Sequence, residues 1–125
     1  MKNRNDGGEG TGSNLRERVF EFACAVVAMH RRLYRSDPDL RSTTFQASNA
    51  ATSIGSNLEE ADAAQSRADF ISKCTIALKE ARETRYWLRI LRRTLETDDL
   101  DPLLDESTEL IAILTTIVRK TKERT

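Results

Sequence analysis

Past residue 12 the chain holds only three residues that interrupt a helix: Pro38, Gly55 and Pro102. The other four glycines, Gly7, Gly8, Gly10 and Gly12, crowd into the first dozen positions. A stretch of this length with so few breakers, and with charged residues at 32%, favours long amphipathic helices. Residues 1–12 are polar and Gly-rich and read as a disordered tail. Residues 13–125 read as one domain with one modest core.

The apolar spacing divides that domain into four helices. The first is expected from Ser13 or Asn14, with a seam at Leu15, Val19, Phe22, Val26, Met29 and Leu33. It should stop before Pro38, because the residue preceding a proline resists helical geometry. The second, from about Leu40 or Ser42, carries the alanine-rich seam Ala47, Ala51, Ile54, Leu58 and Ala61. Alanine lets a helix approach its neighbours closely. Gly55 beside that seam costs about 1 kcal/mol against alanine.

The third helix keeps a four-three rhythm from Phe70 through Cys74, Ala77, Ala81, Thr84, Leu88 and Leu91 to Leu95. Ser66 with Asp69 resembles a capping box at its start, and Thr97-Asp98-Asp99 breaks it. Asp101-Pro102 opens the fourth helix, whose apolar face includes Leu103, Leu104, Leu110, Ile111, Leu114, Ile117 and Val118. Short connections force antiparallel neighbours. The expected fold is an all-α, up-down-up-down, antiparallel four-helix bundle.

Several functions are disfavoured. The formal net charge is zero, whereas a general nucleic-acid coat protein is strongly basic. Cys24 and Cys74 are too few for a disulfide scaffold, and both are expected as buried thiols. A polar start and the lack of a long apolar run point to a soluble cytoplasmic protein without a membrane partner. His30 is the one histidine, so a single chain cannot supply the two Glu-x-x-His motifs of a di-iron bundle. Glu59, Glu60, Glu80 and Glu83 could hold a hard cation, and a metal-dependent enzyme using Glu59, Glu60 and Glu83 is the third reading considered. Solvated acids or salt bridges, such as Lys79 with Glu83, are the simpler account. No nucleophile sits beside a base at recognisable spacing, and no Gly-rich phosphate loop occurs. No enzyme activity, cofactor or metal is expected.

Arginine carries the main functional signal. Arg82, Arg85, Arg89 and Arg92 repeat at three and four positions, each one past a seam residue, with Arg93 alongside. They form a candidate phosphate-tracking or acidic-partner surface. The structural alternative pairs Arg89, Arg92 and Arg93 with Asp105, Glu106 and Glu109 at the opening of the fourth helix. His30, Arg31, Arg32 and Arg35 form a smaller basic cluster, expected to be a solvated face. Tyr86 and Trp87 are adjacent and so point about 100° apart. Trp87 is expected in the core, and an aromatic left outside would mark an oligomer contact.

The segment between the second and third helices is the most distinctive. Gln46, Ala50-Ala51, Ser53-Ile54, Asn57-Leu58 and Glu60, then Ser66, Asp69-Phe70 and Ile76-Ala77, resemble a bacterial four-helix-bundle family. That family includes proteins encoded in intervening sequences of the large-subunit ribosomal RNA gene. Its pattern runs Gln-Leu-x-x-Ala-x-x-Ser-Ile-x-x-Asn-Ile-x-Glu-Gly, then Ser-x-x-[Asp/Glu]-Phe. The likeness in order and architecture covers about residues 14–120. This chain departs at Ala47 (usually leucine), Gly55 (commonly proline) and Ala61 (usually glycine). The last change argues against a left-handed turn right after Glu60 and extends the second helix towards Ala63 or Ala64.

The resemblance implies a compact bundle without known catalytic activity, often assembled as a ring-shaped homopentamer. A similar fold serves as the accessory variability determinant of diversity-generating retroelements, whose pentamers bind nucleic acid and a reverse transcriptase. Those proteins are more basic than this chain. The leading expectation is therefore a homo-oligomeric interaction module, pentameric by resemblance. Its expected partners are RNA, DNA or a reverse transcriptase, engaged through the Arg82–Arg93 stripe. A protein–protein scaffold, with the stripe in salt bridges, is the alternative. Asn57 and Glu60 share a face and are expected to bond to a neighbouring helix or to backbone at the junction. Asn57→Ala is then expected to cost about 1–3 kcal/mol.

Overall fold

A computed structural model describes residues 11–124, with side chains from residue 14 onward. Four helices follow in order: α1 (Thr11–Ser36), α2 (Arg41–Asp62), α3 (Arg67–Leu95) and α4 (Asp101–Glu123). A 3-10 turn over Pro38–Leu40 joins α1 to α2. α1 begins two residues before the earlier of its expected starts, so it takes in Thr11 and Gly12 of the expected tail. The rest of that tail, residues 1–10, lies outside the described residues.

The four seams meet in one core. Val19, Val26 and Met29 of α1, Ala47, Ala51 and Ile54 of α2, Ala77, Ala81, Leu88 and Leu91 of α3, and Leu110 and Leu114 of α4 are all fully buried. Within each helix they recur at steps of three, four or seven residues, so each helix turns one stripe inward. Leu103, Leu104, Ile111 and Ile117 sit half-buried around that core, as does Trp87. Tyr86 stays outside. Cys74 is buried and its thiol is pushed up by desolvation. Cys24 departs from expectation: it is exposed, because it lies off the α1 seam.

Packing is uneven around the bundle. Contact is most extensive between α2 and α3 and thinnest between α1 and α4. The small buried side chains Ala47, Ala51, Ala61, Ala77 and Ala81 lie on the α2 and α3 faces of the core. A long-range ion pair spans the α1–α4 side. Arg18 donates from Nε and Nη2 to the two carboxylate oxygens of Glu106 at 2.6 and 2.8 Å. Gly55 is not demanded by close packing: a Cβ there would meet Val19 Cγ1 at 3.5 Å, an ordinary contact.

The helix ends have local causes. Ser66 caps α3 by accepting from the Asp69 backbone N–H at 3.0 Å. Only this half of a capping box appears among the hydrogen bonds, since the short Asp69 side chain does not return one. α2 runs past Glu60 to Asp62, and Ala63 has φ −99°, so no left-handed turn follows Glu60. At the other end of α3, Glu96 takes the left-handed conformation (φ 53°, ψ 46°), which ends the helix. Proline at the start of α4 falls one residue further in than expected, because Leu100 rather than Asp101 is the cap.

Candidate nucleic-acid interface

The arginine stripe of α3 separates into two sets once the helices pack. Arg85 and Arg92 lean towards α4. Arg85 Nε donates to Thr108 Oγ1 at 3.0 Å. Arg92 grips Asp101 with Nε and Nη2, at 2.6 and 3.3 Å. Its hydrogen bond holds the Asp101 carboxyl below the ordinary aspartate value, against a smaller opposing push from desolvation. Arg82, Arg89 and Arg93 make no ion pair or hydrogen bond among the described residues.

Those three arginines share a line with one aromatic ring. Positions 82, 86, 89 and 93 are spaced four, three and four, the spacing of a single helix face. Tyr86 is 53% exposed and meets Trp87 edge-on, with centroids 5.4 Å apart. Trp87 in turn donates from Nε1 to Glu83 Oε2 at 3.1 Å, which steadies it against the core. A shallow groove of about 460 Å³ runs beside the ridge, lined by Tyr86, Arg89, Ile90, Arg92, Arg93 and Leu104, with Thr94 at its edge. Cations flanking an exposed ring can neutralise phosphates while a base stacks on the ring.

The acids expected to neutralise the stripe do not pair with it. Glu106 reaches across to Arg18, not to α3. Asp105 and Glu109 form no ion pair with Arg89, Arg92 or Arg93; Asp101, one turn nearer the α3–α4 connection than Asp105, takes Arg92. The expected Lys79–Glu83 pair is absent among the described residues, with Glu83 accepting from Trp87 instead. In the sequence alone, Tyr86 stands apart from the arginines, as an aromatic that marks an oligomer contact if left outside. The 82-86-89-93 spacing was the signal that would have joined it to the arginines.

The family-motif residues are structural in their placement. Glu60 accepts from Lys73 Nζ at 2.8 Å and so ties α2 to α3, as expected of it. Asn57 does not cross: its Nδ2 donates to the Ser53 carbonyl at 2.8 Å, one turn back in its own helix. Half-buried Phe70 packs against the core just after the Ser66 cap and Asp69, and Gln46 is half-buried on α2. Glu59 turns to Arg16 while Glu60 turns to Lys73, so the adjacent acids diverge. Among the described residues, no three His, Cys, Asp or Glu side chains gather as a metal-ion group. His30 is half-buried, with Nδ1 2.7 Å from Thr44 Oγ1 and its ring edge-on to the exposed Tyr34 and Phe45. No helix among the described residues is long and apolar enough to cross a membrane.

An all-α antiparallel four-helix bundle with a basic ridge along its third helix is the class that the fold and the site define. The chain belongs to the 23S rRNA-intervening sequence protein family, whose model matches residues 13–116. It is also similar to a solved structure from Bacteroides thetaiotaomicron VPI-5482, described as a protein with unknown function from the S23 ribosomal protein family. The two are 39% identical, with a TM-score of 0.77, over 83% of this chain and 97% of that one. No curated protein matches the chain.

Proposed function

We propose that the protein is a non-catalytic, homo-oligomeric helical module that binds single-stranded nucleic acid along the Arg82–Tyr86–Arg89–Arg93 ridge. One observation carries this reading: three arginines that have no partner among the described residues flank an exposed tyrosine on one helix face. A solvated structural face has no need of the ring, and a salt-bridge network would have supplied acids. Zero net charge keeps the attraction local to the ridge, and an oligomer multiplies it by presenting several ridges at once. A five-membered assembly is the copy number that the family resemblance implies. A reverse transcriptase or another nucleic-acid enzyme fits the same module as a second partner.

The scaffold reading keeps one specific support. Arg85 and Arg92, half of the four-residue repeat, are already engaged with α4. Fluorescence anisotropy with a labelled single-stranded RNA separates the two. Affinity should fall with salt, with a log–log slope of roughly −0.7 for each phosphate neutralised. Arg89→Glu with Arg93→Glu should abolish binding, and Tyr86→Ala should weaken it by about 1–3 kcal/mol per stacked base. Absence of binding in low salt, or binding indifferent to the Arg89/Arg93 reversal, returns the protein to the scaffold reading.

A further inference from the structure

A groove of about 890 Å³ lies on the outer side of α1 and α2, away from the ridge. Phe20, Val27 and Tyr34 recur every seven positions along α1, so they form a second apolar stripe outside the buried seam. Phe20 is 61% exposed and Val27 40%, and both line the groove together with Ala23, Cys24 and Ala28. Apolar side chains left in water along a concave surface mark a binding site.

The two ends of the groove differ. At one, Arg16 of α1 reaches Glu59 and Asp62 of α2 at 3.4 and 3.6 Å, so polar side chains bridge the two helices and the charge is met. At the other, Arg31, Arg32 and Arg35 line the groove, and no acid among the described residues lies within ion-pair distance of them. Just past them Tyr34 is covered by Arg41, whose guanidinium carbon lies 4.1 Å from the ring centre.

A matching occupant is apolar along its length and anionic at one end only. α1 and α2 pack directly on each other, and packed helices stand about 8–10 Å apart, so the furrow between them is narrow. A partner helix, about 10–12 Å across, would ride on Phe20 and Val27 and leave the furrow beneath it unfilled. An anionic bilayer would meet Glu17 and Glu21, which are exposed on α1 three positions before Phe20 and Cys24. A single alkyl chain avoids both difficulties.

We propose that the α1–α2 groove binds the anion of a long-chain fatty acid, with its alkyl chain along Phe20 and Val27 and its carboxylate at Arg31, Arg32 and Arg35. Guanidinium groups match a carboxylate with paired, charge-assisted hydrogen bonds. Each methylene taken from water onto the apolar floor adds to affinity. The length is set by the helix. Eleven positions separate Phe20 from Arg31, which is about 16 Å of rise. An extended alkyl chain advances about 1.25 Å per carbon, from C–C bonds near 1.5 Å at tetrahedral angles, so about twelve to fourteen carbons fill that span. The Arg16 bridge to Glu59 and Asp62 stops a longer chain. The site is separate from the Arg82–Tyr86–Arg89–Arg93 ridge, and its occupation does not depend on nucleic acid.

Calorimetric titration of the full chain with dodecanoate, below its micelle concentration, tests this. Binding should saturate at one per chain. The shorter octanoate should bind at least about tenfold more weakly. Dodecyltrimethylammonium, which has the same chain under a cationic head, should bind at least about tenfold more weakly too. Arg31→Glu with Arg35→Glu should invert that preference, and Phe20→Asp with Val27→Asp should abolish binding of either probe. Unchanged helical circular dichroism verifies that both variants fold. Dodecanoate should also slow iodoacetamide alkylation of the exposed Cys24, with the buried Cys74 as internal control. No saturable binding leaves the groove to a protein helix and overturns the proposal. Equal binding of the two head groups, or a preference that the arginine reversal leaves unchanged, overturns it as well. Single-stranded RNA that displaces dodecanoate assigns the groove to nucleic acid, against the proposal. A wild-type Cys24 that is protected without ligand, and freed only when Phe20→Asp and Val27→Asp lower the mass in light scattering, assigns the groove to a second copy and also overturns it. Each of these results leaves the ridge reading to its own test, since Arg89→Glu and Arg93→Glu lie outside the groove.

Discussion

The α2–α3 and α1–α4 contacts lie on opposite sides of the bundle and are built of opposite materials. On the first side, alanines at zero or near-zero exposure allow long, close packing. On the second, the helices touch little and a bidentate Arg18–Glu106 pair spans the gap. Dispersion summed over close surfaces is large and unforgiving of added volume. An exposed ion pair contributes little and is screened by salt. Stability should thus be concentrated at α2–α3, with α1–α4 as the side that opens first.

Enlarging a side chain at the tight contact should have the largest effect. Ala77 is fully buried, so Ala77→Phe should destabilise by about 1–3 kcal/mol or more, read as a lowered urea midpoint. A variant as stable as wild type would show that the contact has slack. Next comes Gly55→Ala, at the α1–α2 contact. Its new Cβ has room against Val19, and alanine is the better helix former. Thermal melts should show a gain of about 0.5–1 kcal/mol; a loss would mean that the helices approach more closely than 3.5 Å allows.

Breaking the thin side should matter less. Glu106→Gln should lower stability by about 1 kcal/mol or less, and the difference should fade in high salt. A loss of several kcal/mol, or one indifferent to salt, would make α1–α4 as important as α2–α3. The hydrogen bond to Glu106 is the main cause that pushes the Arg18 pKa up, so the contribution of this pair is fully present below the ordinary arginine pKa, neutral pH included, and is lost only as pH rises through it. The smallest effect is expected at Asn57. Its amide bonds a carbonyl of its own helix, and alanine has the better propensity. Asn57→Ala should therefore stay within about 0.5 kcal/mol of wild type by chemical denaturation, in place of the 1–3 kcal/mol that a cross-helix bond implied.

The bundle itself was legible because helical periodicity is local. Every residue of the α2 seam from Ala47 to Ala61 is buried, and Cys74 to Leu91 of α3 follow the same pattern. The Ser66 cap was legible for the same reason: its partner is three residues away. Residue pairs distant in sequence were not. Glu106 lies 88 positions from Arg18, and nothing in periodicity says that it serves α1 and not α3. The candidate ridge was half legible. Its arginines stood out in the sequence, but which of them remain without partners depended on where Asp101 and Thr108 came to rest.

By itself, the sequence determined four amphipathic helices, their order, their inward stripes and the family to which they belong. Those features follow from the spacing of apolar residues, from caps, and from a near-absence of breakers. Only the tertiary structure decided how the flanks of α3 are used. Rotation of that helix against α4 spends Arg85 and Arg92 on packing and leaves Arg82, Arg89 and Arg93 outward beside Tyr86. The physical reason is that burial pattern is a property of one helix, whereas the partner of a charged side chain depends on the relative rotation of two.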